Sequence, residues 1–191
     1  MKSFNGGKLN PISDNELMLR VKTGDVDKLG LLYERYNKNL FGYFWRLSGS
    51  IEVSEDLVQT VFYRILKNRK QYRGKGKFTS WMYQIAHNLW ADFYRKNKRL
   101  DSIEDYKHWH LKDGLSIDEQ IDREEQLRHL KYAMDQLSAE KKEVLILSKY
   151  QGLKYNEIAD LLKTTEGAIK TRIFRALNEL RELYMKIEKL K

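Results

Sequence analysis

The sequence has no cysteine, a single proline (Pro11) and no apolar stretch approaching the ~20 residues needed to span a bilayer. The missing thiols exclude a disulfide scaffold, a thiolate metal site and a cysteine nucleophile. One proline and 11 glycines in 191 residues leave few helix breakers, which favours an all-α chain. The first residues, Met1 to Gly7, hold no apolar run that could serve as a signal sequence. A soluble, cytoplasmic protein without a membrane span is the expectation.

Other chemistries are also poorly supplied. Between Val61 and Arg99 the only acid is Asp92, so the carboxylate cluster of a nuclease is missing where the basic residues gather. No two of His87, His108, His110 and His129 stand at the i, i+4 spacing of the histidine pair that a helical zinc site shows. Arg73-Gly74-Lys75-Gly76-Lys77 fails the phosphate-loop spacing, because Phe78 follows Lys77 and Gln71 occupies the first glycine position. It reads as a mobile basic loop. No metal, no cofactor and no catalytic site are expected.

What the chain does have is charge in blocks. Its 36 Lys and Arg against 27 Asp and Glu give a net charge of +9, unevenly spread. Residues 1–60 are neutral overall. Residues 61–99 carry eleven basic groups against Asp92, residues 100–130 are net −5, and residues 131–191 are net +4. Blocks of this kind act on partners more than on the fold. With 41% hydrophobic and 12% aromatic residues, there is ample material for packed cores on either side of the acidic stretch.

Ser13-Asp14-Asn15-Glu16 has the spacing of a capping box, predicting a helix from Ser13 to Gly24. From Asp27 to Leu47, the residues Leu29, Leu32, Tyr33, Tyr36, Leu40, Phe41, Phe44 and Leu47 recur at steps of three and four, the period of a buried helical stripe. Ser54-Glu55-Asp56 reads as the start of a third helix, with acids in its first turn. A fourth is expected from Thr79-Ser80 to about Arg95, with Trp81, Ile85, Leu89 and Phe93 facing inward. That region also holds Tyr72, Phe78, Tyr83, Trp90 and Tyr94. One helical face cannot bury so many rings, so several should stay exposed beside the cations, where they would suit unpaired bases. Residues 100–130 read as a linker that becomes helical toward Arg123, and Ile121, Leu127, Leu130 and Met134 open a second domain.

In the last third, Tyr155 to Leu162 and Thr165 to Leu177 flank Lys163-Thr164. Ala159 is small enough for a helix crossing, and Ile158, Leu162, Ile169 and Ile173 form the inward set. Thr165 can cap the second helix. Lys170, Thr171, Arg172, Phe174 and Arg175 then lie near its outer face, as a recognition helix requires for base edges in a major groove.

Taken together, Ser54 to Phe62, Phe78 to Arg95 and this helix-turn-helix resemble an extracytoplasmic-function (ECF) sigma factor, a small bacterial initiation factor with only the second and fourth conserved regions. The likeness runs from about Pro11 to Leu183. It implies an all-α fold of two helical domains joined by an acidic linker, the second containing the helix-turn-helix. Residues 11–99 would form the region-2-like domain, 100–127 the linker and 128–187 the region-4-like domain.

By the same resemblance, Asp56, Gln59, Phe62 and Arg64 would bind core RNA polymerase. Trp81, Asn88, Asp92, Arg95, Lys96 and Arg99 would open and read the melted minus-10 element of promoter DNA. Lys170, Thr171, Arg172, Phe174 and Arg175 would read the double-stranded minus-35 element. An anti-sigma factor is a further expected partner. Two departures from the family pattern stand out: Lys154 replaces a common Ser or Thr cap, and Lys163 replaces a common turn glycine, where a positive φ would be strained. The rival reading, a conventional DNA-binding regulator with a ligand-sensing or dimerising first domain, leaves the Asp56 to Arg64 surface without a purpose.

Overall fold

The computed structural model describes residues 12–97 and 117–189, the side chains of 117–124 excepted. Lys98, Arg99 and most of the expected linker lie outside the described residues. Among those described are eight α-helices and no strand: α1 (Asp14–Thr23), α2 (Lys28–Ser48), α3 (Ile51–Lys67), α4 (Phe78–Asn97), α5 (Ile117–Asp135), α6 (Ala139–Leu145), α7 (Tyr155–Leu161) and α8 (Glu166–Glu188).

α1 starts where the sequence says. Ser13 Oγ accepts the Glu16 N–H at 3.2 Å, and Gly24, at φ 117°, ends the helix in the left-handed region. The capping box is only half made, because the Glu16 carboxylate turns instead to Arg20 at 2.8 Å. α3 departs from the reading. Its cap is Ser50, which accepts from the Val53 N–H, and Ser54 lies inside the helix, fully buried, donating to the Ser50 carbonyl at 2.5 Å. The physical reason is Gly49, at φ 74°, which closes α2 so abruptly that Ser50 is the next residue free to cap.

The first half packs α1, α2, α3 and α4 around Leu17, Met18, Leu32, Leu40, Phe44, Val61, Ile65, Phe78 and Met82, all essentially inaccessible. Each such side chain contributes roughly 1.5–3 kcal/mol by leaving water. Two faces turn differently from the sequence pattern. In α2, Tyr33 stays exposed while Tyr43, outside the expected stripe, is fully buried. In α4, the buried set is Phe78, Met82, Tyr83, Ala86, Leu89 and Trp90, so that of the expected row only Leu89 is fully inside; Trp81, Ile85 and Phe93 are half-buried. Both helices are covered from two sides, by their neighbours in the first half and by the second half.

The start of α4 is set from far away. Asn15 Oδ1 accepts both the Phe78 N–H and the Tyr72 hydroxyl at 2.8 Å, and its Nδ2 donates to the Gly76 carbonyl at 2.7 Å. Lys22 Nζ holds the Tyr72 carbonyl at 2.5 Å. The basic loop is therefore held at both ends, at Tyr72 and at Gly76 and Phe78.

In the second half, α6 is capped by Ser138 and continues into a widened π-type turn over Ile146–Tyr150, closed by a hydrogen bond from the Gln151 N–H to the Ile146 carbonyl at 3.0 Å. α7 and α8 enclose Ile158, Ala159, Ile169, Ile173 and Ala176. Lys163 does take the left-handed conformation, at φ 54°, and lets the Thr164 N–H reach back to the Ala159 carbonyl at 2.9 Å.

The two halves share one continuous apolar core and are joined besides along a polar seam. At its centre the buried Glu143 of α6 accepts, through one carboxylate oxygen, from the Tyr43 hydroxyl at 2.6 Å and from His87 Nδ1 at 2.7 Å. Around this centre, the Tyr83 hydroxyl donates to Gln151 Oε1 at 2.6 Å, Lys77 pairs with Glu157 at 2.9 Å, and the Arg46 guanidinium lies 4.1 Å above the Tyr150 ring.

Candidate nucleic-acid and polymerase interface

On α3, Asp56 and Gln59 point outward. Phe62 does not: it is 6% exposed and packs edge-on beneath the Tyr33 ring at 4.9 Å, so it supports this surface from below. Arg64 leans toward α4, its guanidinium 4.0 Å from Asp92. Sequence reasoning missed Tyr63, which stands 62% exposed one turn after Gln59. Its i+4 spacing from Gln59 was the available signal.

On α4, Trp81, Asn88, Asp92 and Arg95 fall at steps of seven, four and three, which places them along one side of the helix. Trp81 is half-buried, with its ring 5.1 Å from Tyr72. Asn88 is exposed and accepts from Gln84 Nε2 at 3.3 Å, which adds Gln84 to the stripe. Asp92 holds Arg95 at 2.5 Å, and Lys96 is exposed beside them. Asp92 thus joins the two expected surfaces, with Arg64 on one side and Arg95 on the other. Arg99 lies outside the described residues.

The exposed rings are fewer than expected. Tyr72, Phe78, Tyr83 and Trp90 are buried, Trp81 and Phe93 are half-buried, and Tyr94 alone of the seven is well exposed. The reason is the double coverage of α4: a helix packed on two sides has room for more rings than one face holds.

On α8, Thr165 Oγ1 accepts the Ala168 N–H at 3.1 Å, so the helix begins where the sequence placed it. Lys170 is fully exposed and pairs with Glu166 at 2.9 Å, a hydrogen bond that holds its ammonium above the usual lysine range. The Thr171 hydroxyl donates to the Gly167 carbonyl at 3.0 Å. Arg172 is half-buried and lies 3.7 Å from Glu140 of α6, while Arg175 is exposed. Phe174 is 66% exposed and, with Leu177 one turn on, starts an apolar strip along the helix.

Lys154, at the start of α7, has no side-chain acceptor to offer. Glu157 instead reaches back to the Lys154 backbone N–H at 2.8 Å. Burial raises the Glu157 carboxyl, but Lys77 and the Lys154 N–H outweigh it and hold the group below the usual range.

Residues 32–100 match the family described as Sigma-70 region 2, and residues 127–180 match Sigma-70, region 4. The chain belongs to the sigma-70 family, as an ECF RNA polymerase sigma factor. It is 27% identical over 162 residues to the RNA polymerase sigma factor YlaC of Bacillus subtilis, covering 82% of this chain and 91% of that one. It is 29% identical over 157 residues to the ECF RNA polymerase sigma factor SigX of the same organism, covering 80% and 81%. Among solved structures, the sigma factor RpoE of Bartonella quintana, in complex with the anti-sigma factor NepR, superposes with a TM-score of 0.66 at 25% identity, covering 81% of this chain and 94% of that one. As a sigma factor, the chain directs RNA polymerase to promoters. Among the described residues, no helix of this sigma factor is long and apolar enough to cross a membrane.

Proposed function

We propose that this sigma factor divides its work among three helices. α3 offers Asp56 and Gln59 to core polymerase, supported by Phe62 beneath and Arg64 at the edge. α4, through Trp81, Asn88, Asp92, Arg95 and Lys96, continued by Arg99, opens and reads the minus-10 element. α8 reads the minus-35 duplex through Lys170, Thr171, Arg172, Phe174 and Arg175. The functional units are residues 11–99 and 128–187, with 100–127 as the connection. The observation that carries this reading is the side of α4 where exposed polar groups at helical spacing stand over a buried aromatic bed. An extruded base costs a few kcal/mol of lost stacking, which a firm platform can offset because it does not have to be ordered first.

Bond-making belongs to the polymerase; this chain is its specificity subunit and works in the cytoplasm. The RpoE relative was solved with an anti-sigma factor, and an anti-sigma partner is proposed here as well.

Run-off transcription with bacterial core polymerase on a promoter library tests the whole reading. Initiation at particular promoters is expected only when the protein is added. Initiation that does not depend on it would return the rival regulator. In the same assay Asn88→Ala should retain core binding and lose open-complex formation; loss of core binding would overturn the role given to α4.

A further inference from the structure

Asn178 of α8 is exposed, and among the described residues its amide has no hydrogen-bond partner. It stands three residues after Arg175, four after Phe174 and seven after Thr171, which places all four on one stripe of the helix. That stripe lies opposite the buried Ile169, Ile173 and Ala176. Lys170 and Arg172 flank it, each with a carboxylate beside it, Glu166 and Glu140. Steps of three, four and seven are those of a recognition helix that lies along a major groove and reads over two turns rather than with its tip.

The makeup of the stripe does not serve the helix. Of the exposed residues from Lys170 to Glu182, the weak helix formers are Thr171, Phe174 and Asn178, and all three lie on it. An asparagine inside a helix is a cost to that helix, and at Asn178 no described hydrogen bond offsets it.

We propose that Asn178 is a specificity-determining residue of the minus-35 contact, its amide reading an adenine at the edge of the element. The proposal rests on the role given to α8 above. An amide offers a donor and an acceptor side by side, the complement of N7 and the N6 amino group of adenine in the major groove. Thr171 does not supply that pair, since its hydroxyl already donates to the Gly167 carbonyl. Seven residues of helix rise about 10.5 Å, which is about three base-pair steps from the base that Thr171 meets. One turn further on the same stripe, Glu182 is exposed and has the same sign of charge as the phosphates, so the reading surface ends at Asn178.

Holoenzyme assembled from bacterial core polymerase and the full chain tests this by selecting promoters from a library randomised through the upstream duplex. The wild type should enrich adenine at one position about tenfold over the other bases, equivalent to ~1.4 kcal/mol. Asn178→Ala raises helix propensity at an exposed site and so keeps the fold; it should lose that preference and retain those at the other positions. Asn178→Arg should turn the preference toward guanine, whose O6 and N7 match a guanidinium, a switch that a merely structural side chain does not give. A wild-type profile without such an adenine, or an Asn178→Ala profile that is unchanged or weakened equally at all positions, overturns the inference. Arg175→Ala tells whether the reading beneath it stands. If Arg175→Ala erases a preference while Asn178→Ala erases none, α8 reads the duplex without Asn178. If neither variant changes the wild-type profile, the role given to α8 falls and the inference with it.

Discussion

The two helices assigned to promoter reading are begun in opposite ways. α8 takes its first hydrogen bond from its own neighbour, Thr165, and its start was legible residue by residue. α4 takes its start from Asn15, 63 positions earlier in the chain, and the same side chain also fixes the loop before it. A locally capped helix can form as soon as its segment is made, whereas a remotely capped one is placed only when α1 has docked. The contrast fits the tasks proposed for them. Reading a duplex asks a helix to present side chains, while opening one asks the helix and the Tyr72 to Phe78 loop beneath it to hold a fixed relation.

The largest effect should come from the remote cap. Asn15→Ala removes one acceptor and one donor that serve three partners, and should cost about 2–4 kcal/mol in urea unfolding. Asn15→Asp, which keeps the acceptor for Phe78 and Tyr72, should recover most of the loss. If Asn15→Ala cost no more than Thr165→Ala, the contrast between the helices would be gone.

Next in size is Arg172→Ala, which should weaken binding to the cognate minus-35 duplex by ~1–3 kcal/mol and spare unrelated duplexes. Its present partner, Glu140, is 3.7 Å away on an exposed side chain, so little is lost in the free protein. Equal weakening on every sequence in a fluorescence titration would reassign Arg172 to phosphate contact. Smallest is Thr165→Ala, expected to cost about 1 kcal/mol of stability by thermal unfolding. Unchanged stability would mean that packing against Ile158 and Ala159, and not the cap, places α8.

Legibility follows the same division. Ser13, Gly24, Thr165 and the inward residues Ile158, Ile169 and Ile173 of the helix-turn-helix are readable because each acts on residues within one or two turns, whereas Leu161 takes the buried place expected of Leu162, which is half-buried. Ser54 misled because a serine before two acids looks like a cap in any sequence, and only Gly49 closing α2 shows that Ser50 gets there first. The aromatic residues of α4 misled for another reason: counting rings against one helical face assumes one packing partner, and α4 has two. Tyr43 fell outside the expected stripe of α2 for that same cause. The Glu143 contacts join residues 100 and 56 positions apart, and nothing local to either end announces them. At the site, exposure separated residues that the resemblance had grouped together: Asp56 and Gln59 face solvent, and Phe62 lies beneath them.

The widened turn at Ile146–Tyr150 amounts to one residue added to a helix without lengthening it. Each residue of an α-helix advances the side-chain direction by about 100°. Removing one residue here would leave the body of α6 and its cap in place but swing everything after it by that angle, taking Tyr150 off Arg46 and Gln151 off Tyr83. The alignment of Tyr150 and Gln151 with the first half, and of α6 with the helices that follow it, therefore depends on a single-residue change of phase.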